Sequence, residues 1–206
     1  MKITYLGHSC FKVESGDCSI ILDPYKNGKV PGLGNLNEKA NIVLCSHGHD
    51  DHNAKELIKK IDYVSSPFQV DYITAYHDES KGQKRGETKV YSINAEGYTI
   101  VHMGDIGCML DAKQIEKIYA PDVLMIPVGG VYTVDADEAF EIVKALNPKT
   151  VIPMHYRKEN VGFEEIATSE EFLSKFNIKD ITYTDSEYIL NHDKSFVVVM
   201  PPKYII

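Results

Sequence analysis

The amino-acid sequence predicts a mixed α/β (α+β) fold, with mixed β-sheets inside and helices outside them. Two patterns carry that expectation. Short apolar strands dominate the beginning of the chain, and strand and helix patterns alternate through the second half. A third observation sets the scale: 206 residues, 43% hydrophobic and 25% charged, is an ordinary folded composition. That length suits one domain, at most two, and no linker splits 1–206.

Ile3 to Leu6, Cys10 to Glu14 and Cys18 to Asp23 read as strands, with a Ser15-Gly16-Asp17 turn between the last two. Pro24 to Lys39 is rich in glycine and is expected to be a flap over a pocket. Asn41 to Cys45 reads as a buried strand. Ala54, Leu57, Ile58 and Ile61 have helical spacing, so a helix is expected there. Tyr72 to Tyr76 reads as a strand and His77 to Lys89 as a polar loop. Val90 to Ile93 and Tyr98 to His102 form a hairpin across Glu96-Gly97.

Asp111 with Gln114, and Asp135 with Glu138, are capping-box pairs that open helices. The second helix has an apolar stripe of Ala139, Ile142, Val143 and Leu146 and stops at Asn147-Pro148. Val123 to Ile126 and Thr150 to Pro153 read as strands. Thr168 and Glu171 open a further helix with Phe172, Leu173 and Phe176 inward. Ile181 to Thr184, Glu187 to Leu190 and Phe196 to Val199 complete the strands.

Composition narrows the function classes. The net charge is −8, and Arg85 and Arg157 are the two arginines among 22 basic residues, which argues against a nucleic-acid or anionic-membrane partner. No apolar run approaches the ~18 residues of a membrane span. Met1 to Phe11 has no secretory pattern, so the cytoplasm is the expected location. Cys10, Cys18, Cys45 and Cys108 lack C-x-x-C spacing and are expected as buried thiols.

The strongest signal is histidine. His47-x-His49-x-Asp51-His52 lies between a buried strand and an expected helix. Imidazole and carboxylate at that spacing suit zinc, manganese or iron. His77, Asp105 and His155 each follow an expected strand or its loop, so they can converge on the same sheet edge. A carboxylate such as Asp105 can bridge two cations ~3.5–4 Å apart.

These motifs resemble those of the metallo-β-lactamase-fold superfamily, in particular its small metal-dependent hydrolases. The resemblance runs through Thr4-Tyr5-Leu6-Gly7-His8-Ser9, Leu22-Asp23-Pro24, the His47 to His52 motif, Gly104-Asp105-Ile106-Gly107, Pro127-Val128-Gly129-Gly130 and Ile152-Pro153-Met154-His155-Tyr156. It implies a four-layer αββα sandwich of two mixed sheets flanked by helices. It implies that His47, His49 and His77 bind one metal, that Asp51, His52 and His155 bind a second, and that Asp105 bridges. His102 is the alternative to His77. Asp23 is expected to orient a ligand histidine. His8 either serves the reaction, as proton donor or substrate partner, or holds a neighbouring loop. His192 is expected in an exposed turn.

Two cations sharing a water bring its pKa to around 7 and make hydroxide available, with Asp51 orienting the nucleophile. Hydrolysis of a small ester, lactone or phosphoester is therefore the expected reaction. Arg157, two residues past His155, and Arg85, in the loop after His77 with Lys81 and Lys84, can each receive an anionic group such as a phosphate or carboxylate. Arg157 is placed on the site side, while a solvated loop is the favoured of the two readings for Lys81 to Arg85. No insertion between Asp105 and His155 is large enough for a nuclease cap, which counts against RNA processing. Two other readings stay open, a di-iron redox protein on the same fold and a non-catalytic metal-binding module. The expected partner is a small-molecule substrate, and a homo-oligomer is compatible with the composition.

Overall fold

The computed structural model describes residues 1–62, 65–190 and 196–206. His192 therefore lies outside the described residues. Strands β1 (Lys2–Gly7), β2 (Cys10–Ser15) and β3 (Cys18–Leu22) form an antiparallel meander. Strand β4 (Lys39–Ala40) belongs to a small side pair, and β5 (Ile42–Leu44) runs parallel to β3. Strand β6 (Lys59–Lys60) pairs with β4.

The second sheet begins with β7 (Gln69–Tyr76), β8 (Glu87–Ala95) and β9 (Tyr98–His102), all antiparallel. It continues in parallel through β10 (Val123–Pro127) and β11 (Thr150–Met154). Strands β12 (Ile181–Tyr183), β13 (Glu187–Ile189) and β14 (Val197–Val199) come last. The final orders are β13-β1-β2-β3-β5 and β12-β14-β11-β10-β9-β8-β7. This is the expected mixed α/β architecture of stacked mixed sheets.

Apolar side chains explain the stacking. Ile3, Phe11, Val13 and Ile20 from the first sheet join Val90, Ile93, Ile100 and Met125 from the second in one core. Helices α1 (Ala112–Ile118) and α2 (Ala136–Leu146) both begin with complete capping boxes, at Asp111/Gln114 and Asp135/Glu138. The buried face of α2 is the expected stripe, and the helix ends at Asn147 in the left-handed region (φ 51°). Helix α3 (Glu170–Leu173) is a single turn, shorter than its apolar pattern suggests. Among the described residues, no helix is long and apolar enough to cross a membrane. All four cysteines are free thiols.

Two expectations fail around the first sheet. No α-helix follows the histidine motif. Lys55–Leu57 makes one 3₁₀ turn, and the chain then becomes β6. The amides a helix would use are taken elsewhere: Lys59 N–H donates to Glu38 O and Ile61 N–H to Ala40 O. Long-range pairing outweighs a helical spacing that lacks an N-cap.

Pro24 to Lys39 is likewise no flap. Tyr25, Val30, Leu33 and Leu36 are buried with Leu6, Cys10 and Ile21, covering the outer face of the first sheet. Backbone bonds from Gly34 to Tyr204 and from Ile206 to Gly32 fasten the segment down. An irregular apolar segment thus occupies the layer in which a flanking helix was expected. Each buried leucine contributes about 1.5–3 kcal/mol there.

Candidate metal centre

Strand direction gathers the site. β1, β3 and β5 run one way in the first sheet. β7, β9, β10 and β11 share one direction in the second. Every candidate except His102 lies beyond a C-terminal strand end: His8 after β1, Asp23 after β3, His47 to His52 after β5, His77 after β7, Asp105 after β9 and His155 after β11. His8, Asp23 and His155 all have left-handed backbones, with φ of 59°, 46° and 53°. Such strained conformations persist where surrounding structure over-determines them. Here His155 N–H donates to His8 O at 2.9 Å, and Tyr5 Oη–H donates to the same oxygen.

Two ligand groups result. His47, His49 and His77 form an outer group, and His8, Asp51, His52 and His155 an inner one, each with its ligand atoms within 4.8 Å of one another. Asp105 lies between them. Its Oδ2 is 3.1 Å from His52 Nε2, 3.3 Å from His155 Nε2, 3.6 Å from His77 Nε2 and 3.9 Å from His47 Nε2. Glycine permits this approach. Gly104 has φ +54°, and a Cβ there would sit 2.6 Å from Thr88 Oγ1. A Cβ at Gly129 would lie 2.2 Å from His155 O.

Asp23, fully buried, orients the rings. It accepts from Ser46 N at 2.7 Å, Ser46 Oγ at 2.6 Å and His52 Nδ1 at 2.9 Å. Ser46 Oγ donates to Asp23, so it accepts from His47 Nδ1 at 2.9 Å. Both histidines are thereby fixed with a proton on Nδ1 and with Nε2 facing Asp105. The structure brings Asp23 beside a histidine of the motif, and it adds Ser46, which the sequence reading missed because it looks like an ordinary strand-end serine.

His77, not His102, stands beside His47 and His49. His102 spends both ring nitrogens on backbone: Nε2 donates to Ser9 O at 2.9 Å and Nδ1 accepts from Gly104 N at 3.2 Å. His8 Nε2 is 3.3 Å from Asp51 Oδ2, and its ring lies 4.0 Å from that of His155.

The charges are strongly perturbed. Burial lowers His8 and His47 to about 4. Burial also disfavours a charged His52, but Asp105, Asp23 and Asp51 outweigh it and hold the ring well above its ordinary range. Asp105 is pushed up by burial and more strongly down by His155 and His52, ending well below the usual carboxylate range.

These residues fit metal ions. Buried Asp105 Oδ1 and His52 Nε2 have no hydrogen-bond partner, although such atoms are costly to leave unpaired. His47 Nε2 and His49 Nδ1 converge to 2.9 Å. A set of imidazoles and carboxylates pointing inward is the donor chemistry of zinc, manganese or iron.

A cavity of about 300 Å³ opens onto the centre. It is lined by His49, Asp51, His77, Asp105 and His155 of the candidate centre together with Arg85, Tyr132 and Phe163. The two arginines exchange expected places. Arg157 does not line the cavity, and its Nε donates to Ile166 O at 3.4 Å. Tyr132 and Phe163 carried no motif. The glycines just before them, Gly129-Gly130 and Gly162, were the available hint of loops turning at a site.

Comparison with known proteins agrees with this arrangement. A family profile described as the Beta-lactamase superfamily domain matches residues 2–155. A protein of Desulforamulus reducens named UPF0173 metal-dependent hydrolase is 33% identical over 193 residues, 76% of this chain and 84% of its own length. A Nanoarchaeum equitans protein of the same family name is 32% identical over 189 residues, 76% of this chain and 84% of that one. Among solved structures, a Thermotoga maritima protein provisionally described as a Zn-dependent hydrolase of the metallo-beta-lactamase superfamily superposes with TM-score 0.77. It is 29% identical and covers 97% of both chains. From motif, fold and relatives together, the chain belongs to the beta-lactamase superfamily, within its family of UPF0173 metal-dependent hydrolases.

Proposed function

We propose that this chain is a dinuclear hydrolase of a small ester, lactone or phosphoester, with zinc as the first candidate metal and manganese or iron as alternatives. The observation that carries the reading is the position of Asp105 Oδ2 among nitrogens of both histidine groups. His47, His49 and His77 would hold one cation, Asp51, His52 and His155 the other, and Asp105 would serve both. Metal held there supplies Lewis acidity and a water of lowered pKa.

The remaining work falls to protein groups. Asp23 keeps His52 in the tautomer that presents Nε2, and through Ser46 does the same for His47. Asp51 faces the cavity and is available to orient a nucleophile. His8 is held near 4, too low to store a proton at neutral pH, and it is absent from the cavity lining. We therefore assign it to holding Asp51 through Nε2 rather than to proton delivery.

Elemental analysis of untagged protein tests the reading, followed by a screen of lactones, esters and phosphoesters. About two zinc or manganese ions per chain with metal-dependent turnover is the expected result. Two irons with a visible absorption band would favour the redox alternative. Fewer than about one ion per chain after reconstitution would overturn the dinuclear assignment.

A further inference from the structure

Arg85 is a charged wall of the cavity that takes no part in the ligand groups. It sits near the end of the loop between β7 and β8, a loop that His77 opens. Its guanidinium lies over the Tyr132 ring, 5.5 Å from the centroid, and Nη2 donates to Val131 O at 3.1 Å. Neither contact neutralises the charge. A guanidinium carries five N–H donors in a planar fork, so most of its donors remain for a partner.

The loop that carries Arg85 is built around one carboxylate. Asp78 is 1% exposed. Its Oδ1 accepts from Ser80 N at 2.8 Å and Gly82 N at 3.0 Å, and its Oδ2 from Lys84 N at 3.0 Å and Arg85 N at 2.8 Å. His77 N–H closes the loop on Gly86 O at 3.0 Å. The Arg85 backbone is therefore held in fixed relation to His77 and the metal groups.

The rest of the cavity wall is aromatic. Phe163 meets the Tyr132 ring edge-on at 6.1 Å and the His8 ring at 5.4 Å. Tyr132 Oη–H donates to the Glu165 carboxylate, which fixes the ring under Arg85. A molecule in this space of about 300 Å³ meets candidate metal ligands, two aromatic rings and a guanidinium that makes no ion pair among the described residues.

We propose that Arg85 determines specificity by receiving an oxyanion, a carboxylate or phosphate that the substrate carries away from the bond to be cleaved. Asp78 is its positioning residue. The proposal rests on the hydrolase reading for the word substrate, but its binding test does not.

The test uses full-length, zinc-reconstituted protein and calorimetry with 4-nitrobenzoate, phenylphosphonate and neutral 4-nitrobenzamide. Wild type should bind at least one of the anions about tenfold or more tighter than the amide. Whichever anion binds tighter identifies the oxyanion. In Arg85→Met the anion-to-amide ratio should fall to near one, and in Arg85→Lys it should be partly restored. Asp78→Asn should lower the same ratio, whereas a general loss of structure would weaken all three ligands together. A ratio near one in wild type, or one that survives in Arg85→Met, would overturn the proposal, because the anion would then be held by other groups. In parallel, 4-nitrophenyl butyrate and mono-4-nitrophenyl glutarate report turnover. No turnover of either ester, with the Arg85-dependent ratio intact, would count against the hydrolase reading and still support this one.

Discussion

The inner and outer ligand groups are built from similar residues but held differently. In the inner group His8, His52 and His155 are at most 3% exposed, and His52 bonds directly to the buried carboxylate of Asp23. In the outer group His49 is exposed, and His47 reaches Asp23 through Ser46. Their charge preferences differ as well. Acidic neighbours keep His52 well above its ordinary range, whereas burial drops His47 to about 4. Equal ligand chemistry thus makes unequal sites when the anchoring behind the ligands differs.

Asp105→Ala is expected to erase the difference by disabling both groups. Loss of several kcal/mol of electrostatic stabilisation corresponds to a fall in kcat/KM on the order of 10³-fold or more. Steady-state kinetics with metal content checks this, and retention of both metals with near-normal turnover would contradict it. Asp23→Asn should reverse the difference rather than erase it. Metal affinity or activity is expected to drop about 10–100-fold, with the inner metal released first on titration with a chelator. In wild type the order should be the reverse, the outer metal leaving first.

Proton release sharpens the same contrast. Asp105, Asp23 and Asp51 favour the protonated form of His52 in metal-free protein, and a cation at Nε2 has to displace that proton. His47, lowered to about 4, is already neutral. Calorimetry at pH 7 in buffers of different ionisation enthalpy should find more protons released when a cation fills the inner group than when one fills the outer. The stability of metal-free protein follows the same signs. The His52 contribution is fully present below its unfolded value near 6.5 and is lost as pH rises through the higher folded value. Neutral His47 works oppositely, because stability falls as pH drops from 6.5 toward 4.

The smallest expected effect on the metal centre comes from a change away from both groups. Leu33→Ala, in the segment over the first sheet, should cost about 2–5 kcal/mol of stability while the order of metal release stays the same. Denaturant unfolding and chelator titration on one sample check both halves.

Local signals made much of this legible. The 47–52 motif needs a strand end and a short loop, both encoded by neighbouring residues. The capping boxes at Asp111 and Asp135 are equally local, and both occur. Signals that depended on distant partners were not readable. The spacing from Ala54 to Ile61 is helical in isolation, but the edge formed by Glu38 and Ala40 claims its amides. Pro24 to Lys39 looks like a flap until Leu6 and Ile21 are seen to need cover. The cavity takes Arg85 where Arg157 was favoured, because Asp78, which holds the Arg85 backbone, shows its role only when four amides fold around it.

The hydrogen bond from His155 N–H to His8 O ties a residue near the start of the chain to one far along it. During synthesis His8, the 47–52 motif and Asp105 emerge well before β11, so a nascent chain holds most of the inner ligands with no His155 to complete them. Closure across so long a separation is entropically costly and comes late. A cation captured that early would meet an unfinished clasp, because His155, which follows β11, joins His8, Asp51 and His52 only when that strand has paired with β10.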